Sequence, residues 1–150
     1  MKLLLIDDHP LFSVGFAHAL SQAGAGVEVL TAATLLEGLA HAAARPDIDI
    51  VLIDYRLGAT DGLEALRHFG ERFPLVARVL ISGHEDPALA QRARAAGASG
   101  FLGKSASIAA LVEGLQRVAH GDVVFDDAAM PIKAGATARQ LEVLTLVALG

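Results

Sequence analysis

The sequence contains no cysteine. Disulfides, thiolate metal sites and cysteine nucleophiles are therefore excluded, and a cytoplasmic location is permitted rather than demanded. The sequence also lacks any run of Lys or Arg. Its 12 basic residues face 17 acidic ones, and 12 − 17 gives a net charge of −5. That balance argues against a nucleic-acid surface on the chain as given. Long apolar runs are missing too. Residues 3–6 open the chain like a signal peptide, but Asp7 and Asp8 interrupt it after four apolar residues, too few for a secretory signal. No stretch approaches the ~18 apolar residues needed to cross a bilayer. A soluble, intracellular protein without a membrane partner is expected.

What is present is material for a core. Hydrophobic residues make up 53% of the 150 and charged ones only 19%, so disorder is not expected and one domain of usual size is. Short apolar runs at 2–6, 27–31, 48–53, 76–81 and 99–102 read as five strands. The third and fourth are almost all Val, Ile or Leu, as in parallel strands covered on both faces. Between them lie helices with start signals. Thr34 with Glu37, and Asp61 with Glu64, have capping-box spacing. Asp86 before Pro87 places a capping side chain ahead of a proline at the first helical position, and Pro10 can do the same after His9. Gly24 and Gly97 stand where left-handed caps are often needed. In the fifth helix Ile108, Leu111, Val112, Leu115 and Val118 share one face.

Strand-helix alternation repeated five times implies an α/β fold, a doubly wound parallel sheet with helices on both faces. By analogy this is a flavodoxin-like (βα)5 sheet with strand order 2-1-3-4-5, whose ligand crevice lies at the carboxyl ends of the strands. From about Gly121 the alternation stops. Residues 121–136 read as a linker, and residues 137–150 as one more helix, opened by Thr137 and Gln140.

Polar residues gather at the predicted carboxyl edge. Asp7 and Asp8 follow the first strand, Asp54 the third, Ser82 ends the fourth and Lys104 follows the fifth. Taken singly, each reads as a turn residue, a helix cap or a surface charge. Together they sit at the ends of four strands that adjoin in the expected order. Three carboxylates in one crevice repel one another. A hard divalent cation such as Mg²⁺ relieves that repulsion, preferring oxygen ligands and leaving room for a phosphoryl oxygen. A carboxylate can then act as nucleophile, with a hydroxyl and a lysine stabilising the transferred group. His18, His41, His68 and His120 are scattered, without metal-ligand spacing.

The segments LLLIDDHPLF, VLIDYRLGATDGLEAL, VLISGHED and GASGFLGKSA resemble the four signature blocks of bacterial two-component response-regulator receiver domains. The Asp-Asp-His-Pro opening is most similar to the NarL/FixJ branch. The resemblance covers roughly residues 1–120, and ATARQLEVLTLVALG resembles the first helix of a LuxR-type helix-turn-helix domain. It implies that Asp54 is the phosphoacceptor and that Mg²⁺ (or Mn²⁺) is bound by Asp8, Asp54 and the backbone carbonyl of Arg56, with Asp7 acting through a metal-bound water. It further implies that Ser82 and Lys104 hold the phosphoryl group and that Phe101 is an aromatic switch. Arg56 and His84 occupy positions that tune the lifetime of the phosphoryl group. The implied partners are a sensor histidine kinase or phosphorelay protein, a second copy of the chain, and DNA only through the rest of the helix-turn-helix domain. The chemistry implied is self-catalysed phosphorylation and dephosphorylation of an aspartate rather than turnover as an enzyme.

Four positions depart from the family pattern. Gly58 and Ser105 stand where proline is common, Thr60 where methionine is, and Gly103 where an apolar residue is. A more mobile loop after Asp54 is the expectation, since glycine lacks the φ restriction of proline. Three other readings compete: a stand-alone receiver working through protein–protein contacts, a receiver that needs no phosphate, and an aspartate-nucleophile phosphatase. The last conflicts with the nucleophile candidate lying after the third strand instead of the first.

Overall fold

The computed structural model describes residues 1–23, 26–83 and 86–125. The elements run β1(Lys2–Ile6), α1(Pro10–Gln22), β2(Glu28–Ala32), α2(Leu35–Ala44), β3(Ile50–Asp54), β4(Arg56–Leu57), β5(Thr60–Asp61), α3(Gly62–Arg72), β6(Ala77–Ser82), α4(Pro87–Ala95), β7(Gly100–Gly103), α5(Ile108–Ala119) and β8(Val124–Phe125). The main sheet has the order β2-β1-β3-β6-β7-β8, and every pairing in it is parallel. Its first five strands reproduce the expected flavodoxin-like order. The predicted cap at Gly24, His84, and the predicted helix of residues 137–150 lie outside the described residues.

Side-chain alternation along the strands feeds two separate cores. Leu3, Leu5, Ile50, Leu52, Val79 and Ile81 meet Phe16 and Leu20 of α1 and Leu111, Leu115 and Val118 of α5. Leu4, Ile6, Val51, Ile53 and Leu80 meet α2, α3 and α4 through Leu39, Leu66, Phe69 and Leu89. Each such buried Leu or Ile stabilises the fold by about 1.5–3 kcal/mol. Being buried on both faces is why β1 and β3 consist of consecutive apolar residues rather than an alternating pattern.

The helix starts follow their sequence signals. Thr34 Oγ1 accepts from the Glu37 amide at 3.1 Å, and Glu37 returns the contact by accepting from the Ala33 amide at 2.9 Å. Asp61 accepts from Leu63 at 2.7 Å and Asp86 from Ala88 at 3.0 Å. Ser107 caps α5 through the Ala110 amide, a cap the pattern reading did not include. Gly97 takes the left-handed conformation expected of it, with φ +95°.

Two short pairings were not expected from the sequence. Val124 and Phe125, inside the segment read as a linker, add a sixth strand to the free edge of β7. The Val124 amide donates to the Ser99 carbonyl at 2.8 Å, and Phe125 lies 4.1 Å beneath the Arg94 guanidinium. β4 and β5 form a small antiparallel hairpin immediately after Asp54. Gly58 turns it with φ +63°, a conformation closed to the proline common there in the family. The loop that glycine was expected to loosen is thus a hydrogen-bonded turn.

The hairpin leads directly into α3, and Gly62 lets that helix approach the end of β3. A Cβ at position 62 would stand 2.6 Å from Tyr55 Cα and 2.7 Å from the Asp54 carbonyl oxygen. Both are backbone atoms that cannot give way cheaply. Gly62→Val is therefore expected to destabilise the fold by roughly 1–3 kcal/mol, the usual penalty of overpacking. Urea unfolding of the variant beside wild type measures this, and an unchanged midpoint would contradict the close approach.

Candidate functional site

The register of the parallel strands brings the expected residues together. Ile6 pairs with Ile53, Asp54 with Ile81, and Ser82 with Gly103. Asp7, Asp54, Ser82 and Lys104 therefore emerge side by side at the carboxyl edge. Asp7, Asp54 and Ser82 are buried, Lys104 is half-buried and Asp8 is exposed. Lys104 Nζ donates to Asp54 Oδ2 at 3.1 Å and lies 3.5 Å from Asp7 Oδ2. The Lys104 amide donates to the Ser82 carbonyl at 2.8 Å, tying the turn after β7 to the end of β6. The Arg56 amide donates to Asp54 Oδ1 at 3.3 Å, while the Arg56 side chain is exposed. Phe101 is fully buried, packed inward on the α4 side of the sheet.

Two further residues belong to this site and were not singled out from the sequence. His9 Nδ1 is 2.9 Å from Asp7 Oδ1, 3.2 Å from Asp8 Oδ1 and 3.4 Å from Asp54 Oδ2. Phe12, one turn into α1, lies under the lysine, with Lys104 Nζ 4.4 Å from its ring centre. A cation over an aromatic face is attracted to it, so Phe12 holds Lys104 over the acids. The Asp-Asp-His-Pro segment carries a signal for His9, because a ring following two acids has them within reach. Nothing local marks Phe12, whose partner is about ninety residues away along the chain.

Residues 3–116 match the response regulator receiver domain family. The chain belongs to that family. It is 35% identical over 121 residues to the transcriptional activator protein ExaE of Pseudomonas putida, a match covering 81% of this chain and 56% of that protein. The probable transcriptional regulatory protein NarL of Mycobacterium tuberculosis is 34% identical, the match covering 100% of this chain and 74% of NarL. A crystal structure of a LuxR family DNA-binding response regulator from Silicibacter pomeroyi superposes with a TM-score of 0.72 at 30% identity, covering 84% of this chain and 96% of that one. The chain thus spans little more than half the length of the first curated relative.

The receiver's acids form a group able to hold a divalent cation. One ligand atom each from Asp7, Asp8, His9 and Asp54 lies within 4.8 Å of the others. Asp7 Oδ2 is buried without a hydrogen-bond partner. Lys104 is near enough to attract it but too far to hydrogen-bond well. A buried carboxylate oxygen left this way is costly unless a cation completes it. An open depression of about 530 Å³ leads to the acids, lined by Asp8, His9, Tyr55, Arg56, Gly58 and Thr60. No helix among the described residues is long and apolar enough to cross a membrane.

Burial raises the pKa of Asp54, the Lys104 hydrogen bond opposes the rise, and the charge of Asp7 adds to it. The hydrogen bond to Asp7, and then the charge of that same carboxylate, raise the pKa of His9. A carboxyl whose folded pKa exceeds its unfolded value favours folding when protonated. Its penalty grows as pH rises from about 4, the ordinary carboxylate value, through the folded pKa, and is constant above. In chelator-treated receiver, Asp54→Asn is therefore expected to unfold at higher temperature than wild type near pH 7. The difference should shrink as pH falls towards 4. A variant that melts lower than wild type at neutral pH would contradict this reading of Asp54.

Proposed function

We propose that Asp54 is the phosphoacceptor of a two-component response regulator, charged by a sensor histidine kinase or phosphorelay protein. The observation that carries this reading is the buried Asp54 carboxylate at a sheet edge, bonded to Lys104 at 3.1 Å and flanked by two further acids. In the transfer, an Asp54 oxygen attacks phosphorus, the new O–P bond forms, and the P–N bond to the donor imidazole breaks. Hydrolysis of the acyl phosphate returns the carboxylate and inorganic phosphate. Lys104 already points at the acceptor oxygen and is positioned to stabilise the charge of the transferred group. Ser82, at the end of the adjoining strand, is assigned to hydrogen-bond that group. Phe101 is assigned as the ring whose packing follows Ser82, since an added charge can bias a two-state packing element.

Mg²⁺ or Mn²⁺ is the proposed cation, held by Asp8, Asp54 and the Arg56 carbonyl, with Asp7 acting through water; when bound it would screen the charge of the incoming donor. Arg56, exposed at the rim of the depression, is proposed to shield the acyl phosphate from water. His84 keeps an equivalent role by resemblance alone. The output is proposed to be transcriptional. Its support is the names of the relatives and the likeness of residues 137–150 to the start of a LuxR-type domain, acting as a homodimer on DNA. A kinase donor implies a cytoplasmic site of action.

Incubation with acetyl phosphate tests the acceptor. Labelling should require a divalent cation, disappear in Asp54→Asn and slow by at least about tenfold in Lys104→Ala, the loss of one charge-stabilising donor. Labelling that persists in Asp54→Asn would falsify the assignment. Arg56→Ala should shorten the half-life of the labelled protein, and an unchanged half-life removes Arg56 from that role.

A further inference from the structure

His9 takes no part in the transfer described above, yet its ring is placed as if the site were built around it. It occupies the N-cap of α1, and its side chain makes no capping bond. Ser, Thr, Asp or Asn usually stands there to satisfy the first helical amides. Here the ring turns away from the helix and over the acids. Asp7 Oδ1 receives the His9 amide at 2.8 Å and faces His9 Nδ1 at 2.9 Å. Backbone and ring are thus pinned to one carboxylate, and the same nitrogen lies 3.2 Å from Asp8 and 3.4 Å from Asp54.

Those three separations have a second meaning. In an octahedral site with bonds of about 2.1 Å, adjacent ligand atoms stand roughly 3.0 Å apart. His9 Nδ1 keeps nearly that distance from an oxygen of each acid. An independent observation points the same way, since buried Asp7 Oδ2 has no hydrogen-bond partner. An imidazole nitrogen among these acids makes a site different from an all-oxygen one. Mg²⁺ prefers oxygen, whereas imidazole suits transition ions, with affinity rising from Mn²⁺ towards the later members of the series.

We propose that His9 Nδ1 is a direct ligand of the divalent cation in this receiver, and that it shifts the preference of the site from Mg²⁺ towards transition ions that accept imidazole. The proposal rests on the reading of the pocket as a cation site. It concerns which cation the pocket selects and leaves Asp54 as acceptor. The 58% exposure of the ring makes a substitution there tolerable to the fold.

Calorimetric titration of Mg²⁺, Mn²⁺ and Zn²⁺ into wild type, His9→Ala and Asp8→Ala tests it. Wild type should bind Mn²⁺ and Zn²⁺ more tightly than Mg²⁺. His9→Ala should weaken Zn²⁺ by about tenfold or more, as loss of a ligand does, and leave Mg²⁺ within a few-fold. Asp8→Ala should weaken all three. Equal losses for Mg²⁺ and Zn²⁺ in His9→Ala, or none for either, overturn the proposal while leaving the cation site standing. Absence of binding by wild type overturns both. Proton NMR of the Co²⁺-loaded wild type gives a check free of any variant. Strongly shifted His9 ring signals support coordination, and His9 signals at diamagnetic positions contradict it.

Discussion

Three carboxylates converging on one crevice are the constraint around which the rest of this molecule is arranged. Two like charges about 4 Å apart repel by roughly 4 kcal/mol at an effective dielectric near 20. A whole domain is stable by only about 5–15 kcal/mol, so repulsion of that size must be balanced locally. Lys104 supplies charge of the opposite sign, lying against both Asp54 and Asp7, and the His9 ring lies beside all three acids. Both side chains come from outside the strands that carry Asp54 and Ser82. The pocket therefore exists only when β1, β3 and β7 are aligned, which couples its chemistry to the fold.

The sheet maintains that alignment. Buried Leu, Ile and Val on both faces fix the register of β1, β3, β6 and β7, and the register puts the strand ends level. A slip of one residue would invert every strand face and separate the acids. Around this platform sit smaller fittings. The β4–β5 hairpin, turned at Gly58, forms one wall of the depression and presents the Arg56 amide to Asp54. Phe12 holds Lys104 in place from α1. Burial, joined by the charge of Asp7 and opposed by the Lys104 hydrogen bond, lifts the pKa of Asp54, the condition in which a carboxylate gains most from a cation and a phosphoryl group.

The central part of this arrangement is legible in the sequence because it is encoded at strand ends. Asp54 after an unbroken Ile-Val-Leu-Ile run, and Lys104 after Gly-Phe-Leu-Gly, announce both their element and their edge. Parallel order then follows from alternation with helices. Less legible are features carried by two residues or by distant pairs. Val124–Phe125 and the hairpin after Asp54 are too short to show a period, and the Phe12–Lys104 contact spans most of the domain. His9 reads locally as the residue before a helix-starting proline. Its approach to Asp54 becomes apparent only when β3 is laid beside β1. Gly58 shows the limit of reading one residue by its propensity: a permissive residue can serve a specific left-handed turn as readily as a mobile loop.

The most direct measurement is a crystal structure of the receiver with a divalent cation and beryllofluoride, which mimics a phosphoryl group on a carboxylate. The account predicts beryllium bonded to an Asp54 oxygen, Lys104 Nζ moved from the carboxylates onto a fluorine, and the cation among Asp7, Asp8 and Asp54 with Asp7 Oδ2 no longer unpartnered. Beryllofluoride on another residue, or Lys104 still paired with Asp54 and the cation outside the acids, would contradict it.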